Sequence, residues 1–164
     1  KGQYSPTSDK GFVTKTTPEG AIEPPVDPIS QALTSGATFI ARGFAGEVEH
    51  LAKLYSEGIK HDGYALINTL QPCVTFNRIN TYETYHEKVY KLDEEEYDPT
   101  DRRKAEEKAK EGEEKIPLGI IYREERPTYA DQLEVLEDGP IVNRDPDRKN
   151  REDIDLDDLK KEFL

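Results

Sequence analysis

The chain has 164 residues, within the ~100–200 of a single domain, and 34% of them are hydrophobic against 35% charged. Asp and Glu number 35 against 23 Lys and Arg, a net charge of −12; this excludes a free-standing nucleic-acid binder that works by neutralising phosphates and argues against an anionic membrane surface. No apolar run approaches the ~20 residues of a membrane span, and a single cysteine excludes an internal disulfide framework.

Methionine is absent and the first residue is Lys, so a processed chain or a fragment is expected. Charge divides the sequence. Residues 1–92 hold 9 basic and 10 acidic residues, whereas 93–164 hold 14 and 25. The first region reads as core material and the second as a solvated acidic arm around one apolar island.

Residues 1–26 carry Pro6, Pro18, Pro24 and Pro25, with Pro28 just beyond. Proline removes backbone donors, so a central strand is not expected here, apart from a short extended piece at Gly11–Thr14, and a loop of this length is expected to be either functional or disordered. Asp27-Pro28-Ile29 is a helix start, with Asp as cap and Pro at the first helical position. Ile29, Ala32 and Leu33 share its face, and Gly36 stops it. Residues 37–41 (ATFIA) read as a buried strand. Residues 47–60 read as a helix whose Val48, Leu51, Leu54, Tyr55 and Ile59 recur at helical spacing. Residues 64–70 (YALINTL) read as a second buried strand.

A strand–helix–strand unit of this kind belongs to a parallel sheet covered on both faces. Two strands are too few, and the missing ones are expected from upstream sequence or another chain. Thr81 is expected to cap a helix bearing Tyr82, Tyr85, Val89 and Leu92. In the acidic region, 100–111 reads as a charged helix with almost no apolar face. Residues 116–122 (IPLGIIY) form the apolar island. Thr128 and Asp131 resemble a capping box opening a helix through Leu133 and Leu136. The stretch from Asp155 to Leu164 reads as a short amphipathic helix able to dock on a partner.

Candidate chemistry centres on Cys73. A lone cysteine is most often a small buried hydrophobe, and it cannot hold a zinc or iron–sulfur site unaided. The alternative is one ligand of a shared site, which its place beyond a strand favours, since open parallel sheets bind ligands past the carboxyl ends of their strands. His50, His61 and His86 show no triad or metal spacing and are assigned to structure or solvent. The loop Lys1-Gly2-Gln3-Tyr4-Ser5 joins a cation, a glycine and hydroxyls suited to phosphate or carboxylate, although a plain polar loop has the same composition.

Four segments carry a resemblance: KGQYSPTS at 1–8, GFVTKTTPEGAIEPP at 11–25, ATFIARGF at 37–44 and LQPCVTFN at 70–77. In this order they resemble the β subunit of thiamine-diphosphate-dependent 2-oxoacid:ferredoxin oxidoreductases of the 2-oxoglutarate or broad-specificity type. IPLGIIY followed by RPTY is similar to the C-terminal region of that subunit. The resemblance implies an α/β fold, a partial parallel sheet with flanking helices forming the C-terminal half of a thiamine-diphosphate-binding domain over 1–92, and an acidic, largely helical extension over 93–164. It implies oxidative decarboxylation of a 2-oxoacid, with electrons leaving through a [4Fe–4S] cluster to ferredoxin and the acyl group passing to coenzyme A.

By the same resemblance, Cys73 is one cluster ligand, Lys1 pairs with the substrate carboxylate, and Gln3 and Ser5 lie near the thiamine diphosphate. The family's Gly-Asp-Gly magnesium motif, the Asn after it and its CxxC are absent from these 164 residues. The chain alone is therefore expected to hold neither thiamine diphosphate with magnesium nor a whole cluster, and to be inactive. Its expected partners are the remainder of the β subunit, the α subunit, ferredoxin, coenzyme A and the 2-oxoacid, in a reducing cytoplasm. The alternative is a non-catalytic acidic interaction domain that keeps the same scaffold.

Overall fold

The computed structural model describes residues 2–112, 114–137, 139–143 and 161. Two compact units divide at Arg126/Pro127. The first is a mixed α/β layer structure. It runs α1 (Pro28–Thr34), β1 (Phe39–Phe44), α2 (Val48–Lys60), β2 (Ala65–Leu70), α3 (Tyr82–Lys88), β3 (Val89–Lys91), α4 (Arg102–Lys110) and β4 (Ile116–Arg123). The sheet order is β2-β1-β4-β3, with β1/β2 and β3/β4 parallel and β1/β4 antiparallel.

The start of α1 follows local chemistry. The Asp27 carboxylate accepts from the Ile29 N–H at 3.0 Å and from the Ser30 hydroxyl, and Pro28 needs no partner for a missing donor. Ile29, Ala32 and Leu33 are buried as the spacing predicts, and Gly36 takes the left-handed φ of +80° that ends the helix.

Two further strands, β3 and β4, come from downstream sequence, a source the sequence reading did not consider. The apolar island is β4, and it lies inside the sheet. Its two halves serve different neighbours: Gly119–Arg123 pair with β1 and Ile116–Leu118 with β3. Pro117 therefore sits where β1 no longer pairs, so its missing N–H interrupts no bond to β1. Ile40 faces Tyr122 while Ala41 faces Ile120, so Ile121 is the extra residue of a bulge.

Alternation along β1 divides the core. Phe39 and Ala41 pack with Leu54 of α2, Ile67 and Ile120. Ile40 packs with Ile29 and Leu33 of α1, Ala105 and Ala109 of α4, Leu92 and Ile121. Fully burying each large apolar side chain contributes about 1.5–3 kcal/mol.

Three local expectations change. Helix α4 is not merely solvated: Asp101 caps it, and Ala105 and Ala109, the two small residues of a charged helix, are buried against the core. Small side chains let the backbone approach, which an apolar-periodicity reading overlooks. The helix after Thr81 ends at Lys88, because the chain turns into β3. Helix α2 buries only Leu54 and leaves Val48, Tyr55 and Ile59 exposed, and β2 beside it is the edge of the sheet among the described residues.

In the second unit, Thr128 and Asp131 do bond reciprocally. Asp131 accepts from the Thr128 N–H at 2.8 Å, and the Thr128 hydroxyl oxygen accepts from the Asp131 N–H at 3.3 Å. The chain then forms two 3-10 turns, Ala130–Gln132 and Glu134–Leu136, rather than an α-helix. The expected helix from Asp155 to Leu164 lies, Lys161 apart, outside the described residues. Among the described residues no helix is long and apolar enough to cross a membrane.

Candidate functional site

Parallel pairing from Phe39↔Ala65 to Phe44↔Leu70 ends β1 and β2 at the same level, and the Ala45 N–H donates to the Leu70 carbonyl at 2.9 Å. The loop holding Cys73 leaves from this edge. It returns through α3, whose N-terminus is capped by the Thr81 hydroxyl. The α3 side chains Tyr82, Tyr85 and His86 surround the Phe44 ring, with centroids 5.7, 5.6 and 5.0 Å away. Both ends of the loop are thus fixed to the carboxyl end of β1.

Inside the loop, Pro72 is buried. The Asn77 N–H donates to the Cys73 carbonyl at 3.0 Å. The Asn77 side-chain oxygen accepts from the N–H groups of Ile79 and Asn80 at 2.9 and 3.0 Å. Cys73 itself is exposed, not the buried hydrophobe that its residue type favours. The backbone N–H groups of Phe76 and then Thr75 pull its thiol below the ordinary range, favouring the thiolate that binds metals.

The N-terminal loop lies beside it. Gly2 is buried at φ +94°, and a Cβ there would stand 3.7 Å from Phe76 Cδ1 and 3.2 Å from Lys15 Cβ. The Gly2 carbonyl accepts from the Thr16 hydroxyl at 3.1 Å. Gln3 and Ser5 are exposed. The Ser5 hydroxyl is 2.9 Å from that of Thr7 and accepts from the Thr7 N–H at 3.2 Å, and Ser5 borders a cleft of about 410 Å³ with Tyr4, Pro6 and Glu23. Lys1 lies outside the described residues. The structure thus brings the Gln3/Ser5 loop and the Cys73 loop together through Gly2 and Phe76. Phe76 is the residue that sequence reasoning passed over; its only signal was an aromatic in the loop QPCVTFNRIN at 71–80.

The histidines serve the scaffold. His61 is buried, with Nε2 2.8 Å from the Thr38 hydroxyl. His50 stands 3.9 Å from Asp93, and burial lowers its basicity. Among the described residues no group of three or more His, Cys, Asp or Glu side chains could hold a metal ion, so Cys73 has no metal-binding companions there.

Cys73 is thus exposed past the carboxyl ends of the parallel strands β1 and β2, the edge at which open α/β sheets generally bind ligands. Comparison with known proteins gives the class a family. Residues 73–138 match the family described as the C-terminal part of the pyruvate ferredoxin oxidoreductase beta subunit. The chain is 42% identical over 144 residues to the 2-oxoacid:ferredoxin oxidoreductase subunit beta of Sulfolobus sp, covering 81% of this chain and 47% of that protein. It is 43% identical over 135 residues to the same subunit from Saccharolobus solfataricus, with 76% of this chain and 44% of that one covered. The solved structure of the 2-oxoglutarate:ferredoxin oxidoreductase from Magnetococcus marinus, with 2-oxoglutarate, coenzyme A and succinyl-CoA bound, superposes with a TM-score of 0.73 at 39% identity, covering 78% of this chain and 44% of that one. The chain belongs to the 2-oxoacid:ferredoxin oxidoreductase β subunits, in their C-terminal region. It spans about half the length of the curated relatives it matches.

Proposed function

We propose that this chain is the part of a 2-oxoacid:ferredoxin oxidoreductase β subunit that supplies one ligand to a [4Fe–4S] cluster and one loop to the substrate site. The observation that carries this reading is Cys73, exposed beyond the strand ends, held toward its thiolate and adjacent through Phe76 to the Lys-Gly-Gln loop. Thiolate is the donor that an iron–sulfur cluster takes, and backbone N–H groups around the sulfur are a recognised control on its potential. The remaining ligands come from the rest of the β subunit.

In this reading Lys1 offers a cation to the carboxylate of the 2-oxoacid, and Gln3 and Ser5 lie near the thiamine diphosphate. Thiamine diphosphate with magnesium supplies the electron sink for decarboxylation when bound in the assembled enzyme. This chain's residues orient substrate and hold the electron exit. The electrons pass to ferredoxin and the acyl group to coenzyme A. The α subunit and the remainder of the β subunit make up the rest of the site, and a reducing cytoplasm suits its free thiol.

Iron and acid-labile sulfide in the anaerobically isolated assembly test this reading. About four irons per copy are expected, lost in Cys73→Ser. Full iron content in that variant, or none in the intact assembly, overturns the reading and leaves the acidic interaction domain in its place. The isolated chain is expected to show no turnover.

A further inference from the structure

A cleft of about 290 Å³ opens between α2 and the segment that follows β3, and no residue of the N-terminal loop or of the Cys73 loop lines it. Its floor is apolar, made by Leu54 of α2, Leu92, and Ile120 of β4. Gly119 adds bare backbone. Its φ of +124° suits glycine, and a Cβ there would stand 3.3 Å from Leu92 Cβ, so even one methyl group would press on the wall. The size falls at the lower end for small-molecule sites, and an apolar floor offers water few partners.

The rim carries two donors that lack acceptors. His50 and Lys53 stand three residues apart on α2 and so share a face. The His50 side chain is only 10% exposed, and among the described residues neither ring nitrogen has a hydrogen bond: Nδ1 is buried without a partner, and Nε2 is 3.9 Å from Asp93, too far for one. Burial lowers the basicity of the ring, which is therefore neutral in neutral solution. A buried bare acceptor is tolerated better than a buried bare N–H, so the proton sits on Nε2. Lys53 also has no ion pair or side-chain hydrogen bond among the described residues. The acidic groups nearby do not answer these donors. Glu57 meets Arg123 at 3.4 Å, and Asp93 leaves 67% of its side chain in solvent, which screens its charge.

We propose that this cleft binds a small monocarboxylate with a compact apolar body. The carboxylate sits between Lys53 Nζ and His50 Nε2, and the body lies over Leu54, Leu92 and Ile120. A carboxylate supplies the acceptor that both donors lack, and the apolar body covers the floor. This site stands independently of the reading given for Cys73.

The test is calorimetric titration of the assembled enzyme with benzoate, and with benzyl alcohol as its uncharged counterpart. Saturable binding of benzoate in the millimolar range or tighter is expected, several-fold weaker in Lys53→Glu and in His50→Leu. Benzyl alcohol should bind more weakly than benzoate and be unmoved by Lys53→Glu. Excess 2-oxoacid should not displace benzoate. No saturable binding, an affinity for benzoate unmoved in either variant, or an alcohol that binds as well as the acid overturns the proposal. Displacement by the 2-oxoacid also overturns it, because it puts the probe in the substrate site. Lys53 is exposed, so Lys53→Glu leaves the fold intact and decides the matter where His50→Leu does not assemble.

Discussion

The Tyr97 hydroxyl donates to the carbonyl of Ile121 at 2.6 Å. Ile121 is the extra residue of the β4 bulge, so its carbonyl is displaced from the regular ladder inside the core. Burial pushes the Tyr97 phenol up to about 12, so it remains a donor throughout the neutral range. Tyr97→Phe removes that donor and leaves a buried acceptor unpaired. A loss of about 1–3 kcal/mol in unfolding free energy is expected, read from a urea titration. An unchanged midpoint would mean that the bulge carbonyl finds another donor.

Tyr90 joins β3 to α4. Its hydroxyl donates to Glu111 at 2.5 Å and accepts from Lys108 at 2.7 Å, and Lys108 meets Glu111 at 3.0 Å. Burial pushes the Glu111 carboxyl upward, but the Tyr90 hydroxyl and Lys108 outweigh it and hold it below its ordinary value. A carboxylate lowered in the folded state stabilises the fold above its unfolded pKa, and that contribution is lost as pH falls through the folded one. Tyr90→Phe should therefore move the Glu111 titration upward by carboxyl NMR and flatten the acid limb of stability. A Glu111 titration that stays in place would show that Lys108 alone sets it.

Ala105 is fully buried where α4 meets the core. Ala105→Leu forces three more carbons into closed space, and a loss of about 1–3 kcal/mol is expected in thermal or denaturant unfolding. The same substitution at Lys104, which is exposed, should change stability by less than about 0.5 kcal/mol. Equal effects at the two positions would mean that α4 does not pack as described.

Cys73 offers a pH test in metal-free protein. A thiol held low by neighbouring N–H groups keeps its thiolate at lower pH, and the thiolate is the nucleophile. Iodoacetamide labelling should therefore rise with pH through a midpoint below the 9.0 of an unperturbed thiol. A midpoint at or above that value would remove the N–H groups as an influence.

The elements with local signals were readable from sequence. Asp27-Pro28, the 3.6-residue spacing of α1 and the strand–helix–strand run all lie within short windows. Pairing between distant segments was not. Nothing in IPLGIIY tells an island in an arm from an inner strand, because that depends on a partner far back in the chain. Ala105 and Ala109 carry too little side chain to mark a buried face. Thr128 and Asp131 form the expected reciprocal bonds, yet a cap does not enforce the helix after it. At the candidate site, Cys73 stood out by its singularity and Phe76 did not, because its contact with Gly2 joins the beginning of the chain to its middle.

The position of β4 between β1 and β3 has a consequence during synthesis. Chains emerge at about 5–20 residues per second, so the partner strand for one flank of β1, about 80 residues downstream, arrives several seconds after it. Through that interval β1, β2 and the first two helices wait with a flank of unpaired backbone N–H and C=O groups open to any passing strand. Occupancy of that flank by a chaperone, or early docking of preceding segments of the subunit, would shield the nascent sheet until the acidic half closes it.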